Sequence, residues 1–169
     1  TNIAQPALGA ADLGMFHLLQ AFNITPDMTA GHSYGEYVAL YATGVYDGKA
    51  LFTVSEARGR AIIDTLNKDS GTMSAVAADE MTIRPIIEPL AEVWIANLNA
   101  PDQTIIAGSE RGVAEANARL QAAGLHVRPV KVSAAFHTPM LTEAQQLFSV
   151  TLGKVDYKVS RIEVYANLT

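Results

Sequence analysis

The stretch Gly31-His32-Ser33-Tyr34-Gly35-Glu36 constrains this chain more than any other. Asp27-Met28-Thr29-Ala30 precedes it, and Tyr37-Val38-Ala39-Leu40-Tyr41-Ala42-Thr43 follows, closed by Gly44. The first run is short enough for a buried strand, and the second reads as a helix ended by a glycine. A serine at such a junction, with glycines two residues before and two after, fits a nucleophile elbow. That turn is tight enough for a side chain at either glycine to strike the strand or the helix. It lifts the Ser33 hydroxyl clear of the backbone and leaves the Tyr34 N–H, at a helix N-terminus, to donate to an oxyanion. Ordinary capping competes with this reading, because Ser33-x-x-Glu36 also fits a capping box. Capping accounts for Ser33 and Glu36 but not for both glycines or His32.

A chain of 169 residues, 49% hydrophobic, can bury a core and form one domain with a subdomain. With no cysteine it can form no disulfide, use no catalytic thiol and offer no cysteine to zinc. The 12 basic residues are scattered singly and the net charge is −5, so there is no electrostatic footprint for nucleic acid. No apolar run approaches the roughly 18 residues of a membrane span. The first residues lack the basic and apolar regions of a signal peptide. The expectation is a soluble, cytoplasmic protein with no resident metal.

The chain opens on a helix with Pro6 in its first turn and Gln5 just ahead of it. Leu8, Ala11, Met15, Leu18, Leu19 and Phe22 fall on one face and predict the buried stripe. His17, within the helix, is given no role. After the elbow helix, Asp47 predicts an N-cap for a helix running to about 67. Leu51, Val54, Arg58 and Ile62 share a face of it, because steps of three and four return to the same side. Arg58 is therefore a cation on an inward stripe, and a buried cation needs an anion. An internal pair with Glu36 would supply one, or the side chain could snorkel to the rim. The alternative is a guanidinium kept for a substrate carboxylate, which it grips with two hydrogen bonds.

Asn67-Lys68-Asp69-Ser70-Gly71 is a polar break. Beyond it the pattern predicts a strand at 73–78, a helix at 82–91 containing Pro85, strands at 93–99 and 103–109, a helix at 110–123 and a strand at 126–132. That β-α-β-β-α-β order over roughly 60 residues matches a ferredoxin-like unit. In Phe136-His137-Thr138-Pro139, Thr138 predicts an N-cap with Pro139 at the first helical position. His137 then stands outside a helix N-terminus, whose positive end disfavours imidazolium and favours a neutral base. A plain surface histidine is the other reading. The helix is expected to run to about 152, with a final strand at 161–166.

Taken together, five motifs resemble the malonyl-CoA:acyl carrier protein transacylase family, which includes the acyltransferase domains of fatty-acid and polyketide synthases. They are Gln5-Pro6-Ala7, the hexapeptide at 31–36, Arg58-Gly59, Ala135-Phe136-His137-Thr138-Pro139-Met140, and the closing Val164-Tyr165-Ala166-Asn167-Leu168-Thr169. The resemblance implies an α/β fold, with a large α/β-hydrolase-like subdomain at 1–71 and 133–169 and an inserted ferredoxin-like subdomain at 72–132. It implies Ser33 as nucleophile, His137 as its general base, the Tyr34 N–H as an oxyanion donor and Arg58 as the ligand of a malonyl carboxylate. Gln5 and His32 would line the site, and Phe136 would disfavour an α-methyl group. Tyr34, where smaller residues or Gln often stand, would narrow the pocket or hydrogen-bond the acyl group. The implied reaction moves a malonyl group from coenzyme A, through a seryl ester, to the phosphopantetheine thiol of an acyl carrier protein. No cofactor is bound by the chain itself; the partners are the carrier protein and neighbouring synthase domains. The chain is expected to lack the family's N- and C-terminal segments, including the glutamine loop that gives the second oxyanion donor. The alternatives are a serine hydrolase or editing thioesterase of the same fold, and a fragment that only docks a carrier protein.

Overall fold

The computed structural model describes residues 1–66 and 70–167. Most of the break at 67–71, and the last two residues of the closing motif, lie outside them. In chain order the elements are α1 (Ala4–Ala21), β1 (Met28–Ala30), α2 (Gly35–Ala42), α3 (Gly48–Thr65), β2 (Thr72–Val76), α4 (Glu80–Ile87), β3 (Val93–Ala100), β4 (Gln103–Gly108), α5 (Glu110–Ala122), β5 (Val127–Val130), α6 (Thr142–Leu152) and β6 (Glu163–Tyr165). A single 3₁₀ turn, Pro139–Leu141, precedes α6. The fold is α/β. It divides into two compact units, Thr1–Asp64 with Ala144–Thr169, and Thr65–Glu143.

In the first unit β1 and β6 form a parallel pair, with Thr29 opposite Val164. The expected buried strand is instead largely exposed, Met28 and Ala30 facing solvent. Among the described residues β1 pairs with β6 alone, so one edge of the strand is uncovered. The first helix also departs from expectation. It starts at Ala4, so Gln5 lies inside its first turn, and its buried residues are Gln5, Gly9 and Leu13. Met15, Leu18 and Phe22, on the predicted stripe, are 67%, 60% and 70% exposed. The face that packs is the one bearing Gly9 and Leu13: a Cβ on Gly9 would overlap the Tyr34 hydroxyl oxygen, and Leu13 joins the cluster of Val45, Tyr46 and Leu51. His17, assigned no role, lies 3.0 Å from the Tyr41 hydroxyl of α2 through its Nε2. The third helix follows its sequence signal: the Ala50 N–H donates to Asp47 Oδ1 at 2.8 Å, and Leu51, Val54 and Ile62 are buried.

In the second unit the strands form an antiparallel sheet in the order β3-β4-β2-β5. Val76, Ile106 and Val127 pack on one face against Ile83 and Ile87 of α4 and Ala116 and Leu120 of α5. Alternation sends Met73, Ile105 and Ala107 to the other face, where Ala135, Phe136 and Met140 pack on them. The fourth helix begins and ends earlier than the 82–91 expected. Asp79 accepts from the Thr82 N–H at 2.7 Å and so fixes the start at Glu80. The Ala135 N–H donates to the Ser70 carbonyl at 2.8 Å, tying the segment before His137 to the start of β2.

Candidate active site

Four non-glycine residues among those described have positive φ: Asn23, Ser33, Glu92 and His137. Asn23 follows the end of α1, a position that asparagine tolerates. For Ser33, at φ 53°, and His137, at φ 61°, the left-handed conformation costs on the order of 1 kcal/mol or more each. Such strain collects where a side chain must be aimed.

The turn at Ser33 is built as the hexapeptide predicts, with one correction. A Cβ on Gly31 would fall on the Gly35 carbonyl and the Glu36 nitrogen, so glycine is required there. A Cβ on Gly35 would meet nothing within 4 Å outside its own helix, so sterics do not require the second glycine. The N–H groups of Gly35, Glu36 and Tyr37 turn back onto the carbonyls of His32, Ser33 and Tyr34. The Tyr34 N–H stands just ahead of that series, at the positive end of α2.

The N-cap of α2 is not Ser33, as a capping box would have it. Residue 34 is the N-cap, with no side-chain capping bond, and Glu36 Oε1 accepts from the backbone N–H and the Nδ2 of Asn167, both at 2.8 Å. Asn167 Nδ2 also donates to the Gly31 carbonyl. The turn is thus tied to the chain just beyond β6, a link no local pattern announces.

The Tyr34 side chain is engaged inside the first unit. It is buried, and its hydroxyl lies 2.6 Å from Ser55 Oγ. Ser55 Oγ donates to the Leu51 carbonyl at 2.6 Å, which uses its only hydrogen, so the Tyr34 hydroxyl must be the donor to Ser55. Burial pushes the Tyr34 phenol above its ordinary value, which keeps that hydrogen in place. The role of Ser55 was not foreseen, although it stands one turn past Leu51 on the inward face of α3.

Arg58 is half-buried, with its guanidinium carbon 5.6 Å from the centroid of the Tyr37 ring. The ion pairs among the described residues are Arg60–Glu56, Arg84–Glu80 and Arg119–Glu115, and Arg58 is in none of them. The internal pair with Glu36 is not made; that carboxylate is engaged by Asn167. Gln5 is buried, and its Oε1 has no hydrogen-bond partner among the described residues. An acceptor orphaned in this way costs about 1–3 kcal/mol and asks for an explanation. His32 is exposed.

Phe136 and His137 belong to the second unit. Phe136 is half-buried against the sheet cluster, and His137 is exposed. Thr138 caps the 3₁₀ turn: its Oγ1 accepts from the Met140 N–H at 3.3 Å and donates to the Ala135 carbonyl at 2.8 Å. The predicted cap and first helical position are therefore found, although the first turn is 3₁₀ rather than α. Among the described residues no group of three His, Cys, Asp or Glu could hold a metal, and no helix is long and apolar enough to cross a membrane.

The chain belongs to the acyl transferase domain family, whose model matches residues 1–169. Over 170 residues it is 35% identical to the spectinabilin polyketide synthase system protein NorB of Streptomyces orinoci, covering 100% of this chain and 8% of that one. It is 32% identical to the malonyl CoA-acyl carrier protein transacylase of Bacillus subtilis, covering 100% of this chain and 55% of that one. It also matches a chain in the solved complex of a type II polyketide synthase acyl-carrier protein with its malonyl-transacylase. That match has a TM-score of 0.92 and 30% identity, and covers 97% of this chain and 55% of that one. The chain thus spans about half the length of a stand-alone transacylase and a small part of a synthase.

Proposed function

We propose that this chain carries the nucleophile of a malonyl transferase. Ser33 Oγ attacks the thioester carbonyl of malonyl-CoA, the C–S bond breaks, and coenzyme A leaves as its thiol. The seryl malonyl ester is then attacked by the phosphopantetheine thiol of an acyl carrier protein, which takes the malonyl group and restores the serine hydroxyl. His137 takes the serine proton in the first step and passes it to the departing sulfur. In the second step it takes the thiol proton and returns it to Ser33. A serine hydroxyl is a weak nucleophile until a neighbouring base does this. The Tyr34 N–H donates to the oxyanion, Arg58 grips the malonyl carboxylate, and Gln5 and His32 line the site. Phe136 disfavours an α-methyl group, a preference worth about 1–3 kcal/mol.

The observation that carries the reading is the left-handed Ser33 held between the required Gly31 and the N-terminus of α2, in a chain of the acyl transferase family. Arg58, in no ion pair among the described residues, supports a diacid substrate, and the Bacillus relative and the carrier-protein complex support the partner. The β-α-β-β-α-β order and sheet order of the second unit support reading it as the ferredoxin-like insertion of an α/β-hydrolase-like domain.

Incubation with malonyl-CoA, with and without a phosphopantetheinylated carrier protein, tests transfer. The expected product is malonyl-carrier protein, with little free malonate. Free malonate released at the same rate with and without the carrier would make the chain a hydrolase and overturn transfer.

A further inference from the structure

Among the described residues Arg58 of α3 has no carboxylate partner, so something else must fix where its charge sits. The group beneath it is Tyr37, three residues into α2, whose ring centroid lies 5.6 Å from the guanidinium carbon. That ring is held on several sides. The Phe148 ring meets it edge-on at 5.9 Å, and the Tyr34 ring lies tilted at 6.0 Å. Tyr34 is itself anchored to Ser55, and the Tyr46 hydroxyl donates to the Tyr37 carbonyl at 2.5 Å. Burial raises the Tyr37 phenol, so the ring faces Arg58 as a neutral aromatic.

We propose that Tyr37 is a positioning residue for substrate choice, holding the Arg58 guanidinium on its ring so that the cation stands ready for a carboxylate-bearing acyl group. The inference rests on the malonyl reading above. Its chemistry is direct. The ring face engages the charge, and the Tyr37 hydroxyl takes at most one of the guanidinium's N–H donors. The remaining donors stay available for a bidentate carboxylate. A carboxylate neighbour in the same place would have neutralised the site and competed with the substrate.

The test needs no turnover. Equilibrium binding of malonyl-CoA and acetyl-CoA is measured on Ser33→Ala protein, alone and combined with Tyr37→Phe, Tyr37→Leu or Arg58→Ala. Acetyl-CoA lacks the carboxylate and reports folding and general site integrity. Tyr37→Phe keeps the ring and should keep the malonyl preference within about twofold. Tyr37→Leu should weaken malonyl-CoA by about fivefold and leave acetyl-CoA unchanged, given the usual strength of a cation–π contact. An unchanged preference in Tyr37→Leu, or equal losses for both ligands, overturns the positioning role. Arg58→Ala separates the two levels. If it leaves the preference intact, or if the Ser33→Ala protein shows none, the carboxylate reading of Arg58 fails first.

Discussion

The Tyr34 hydroxyl donates to Ser55 Oγ at 2.6 Å, locking the residue after the candidate nucleophile onto the inner face of α3. The bond runs from the turn that aims Ser33 to the helix that bears Arg58. Both ends of the bond lie within one unit.

Ser55→Ala leaves the Tyr34 hydroxyl buried without an acceptor. It should destabilise the chain by about 1–3 kcal/mol, read as a lower denaturation midpoint in urea. Adding Tyr34→Phe removes the stranded group, so the double variant should lose less than the sum of the two singles. Strictly additive losses would mean that the bond is not a coupled pair.

Gly9→Ala tests the close approach of α1. The added Cβ overlaps the Tyr34 hydroxyl oxygen, while the ring carbon bearing that oxygen would stand 3.6 Å away, an ordinary contact. The cost should be about 1–3 kcal/mol in the parent and should largely disappear in Tyr34→Phe. The same cost in both backgrounds would place the strain elsewhere.

The two elbow glycines should behave unequally. Gly31→Ala drives a Cβ into the backbone of the turn and should abolish acylation or folding. Gly35→Ala adds a Cβ in open space at the first residue of α2, and should change stability by less than about 1 kcal/mol and leave acylation intact. Equal damage at both positions would contradict the turn described here.

At acid pH the second unit should show the signature of Asp79. The hydrogen bonds of its carboxylate with Thr82 lower its pKa from the ordinary 3.8. A lowered folded-state value means that its stabilising share is full above the unfolded value and is lost as pH falls through the folded one. Asp79→Asn keeps a good cap but cannot titrate. The variant should therefore lose less stability than the parent between about pH 5 and pH 2. Parallel pH curves would show that Asp79 makes no such contribution.

The elements with strong local signals were legible in the sequence. Asp47 announces α3, Gly31 the elbow, and Thr138 with Pro139 the turn after His137. The hydrophobic periodicity of α1 misled because the face that packs carries Gln5, Gly9 and Leu13, and the approach of Gly9 to Tyr34 is a contact between residues 25 positions apart that no local pattern shows. The start of α4 was missed because its signal is one capping residue, Asp79, ahead of a helix interrupted by Pro85. Ser33, His137 and Arg58 were singled out as candidates from their motifs. What surrounds Arg58 was not legible: Glu36 looked like its partner, and only the fold shows that Asn167 takes Glu36 while Tyr37 takes Arg58.

Intact-mass spectrometry of the chain after brief incubation with malonyl-CoA, beside a Ser33→Ala control, tests the central claim most directly. The account predicts a malonyl adduct on the parent and none on Ser33→Ala. An adduct that persists in the control, or a parent that takes up no malonyl group, would contradict Ser33 as the nucleophile of a malonyl transferase.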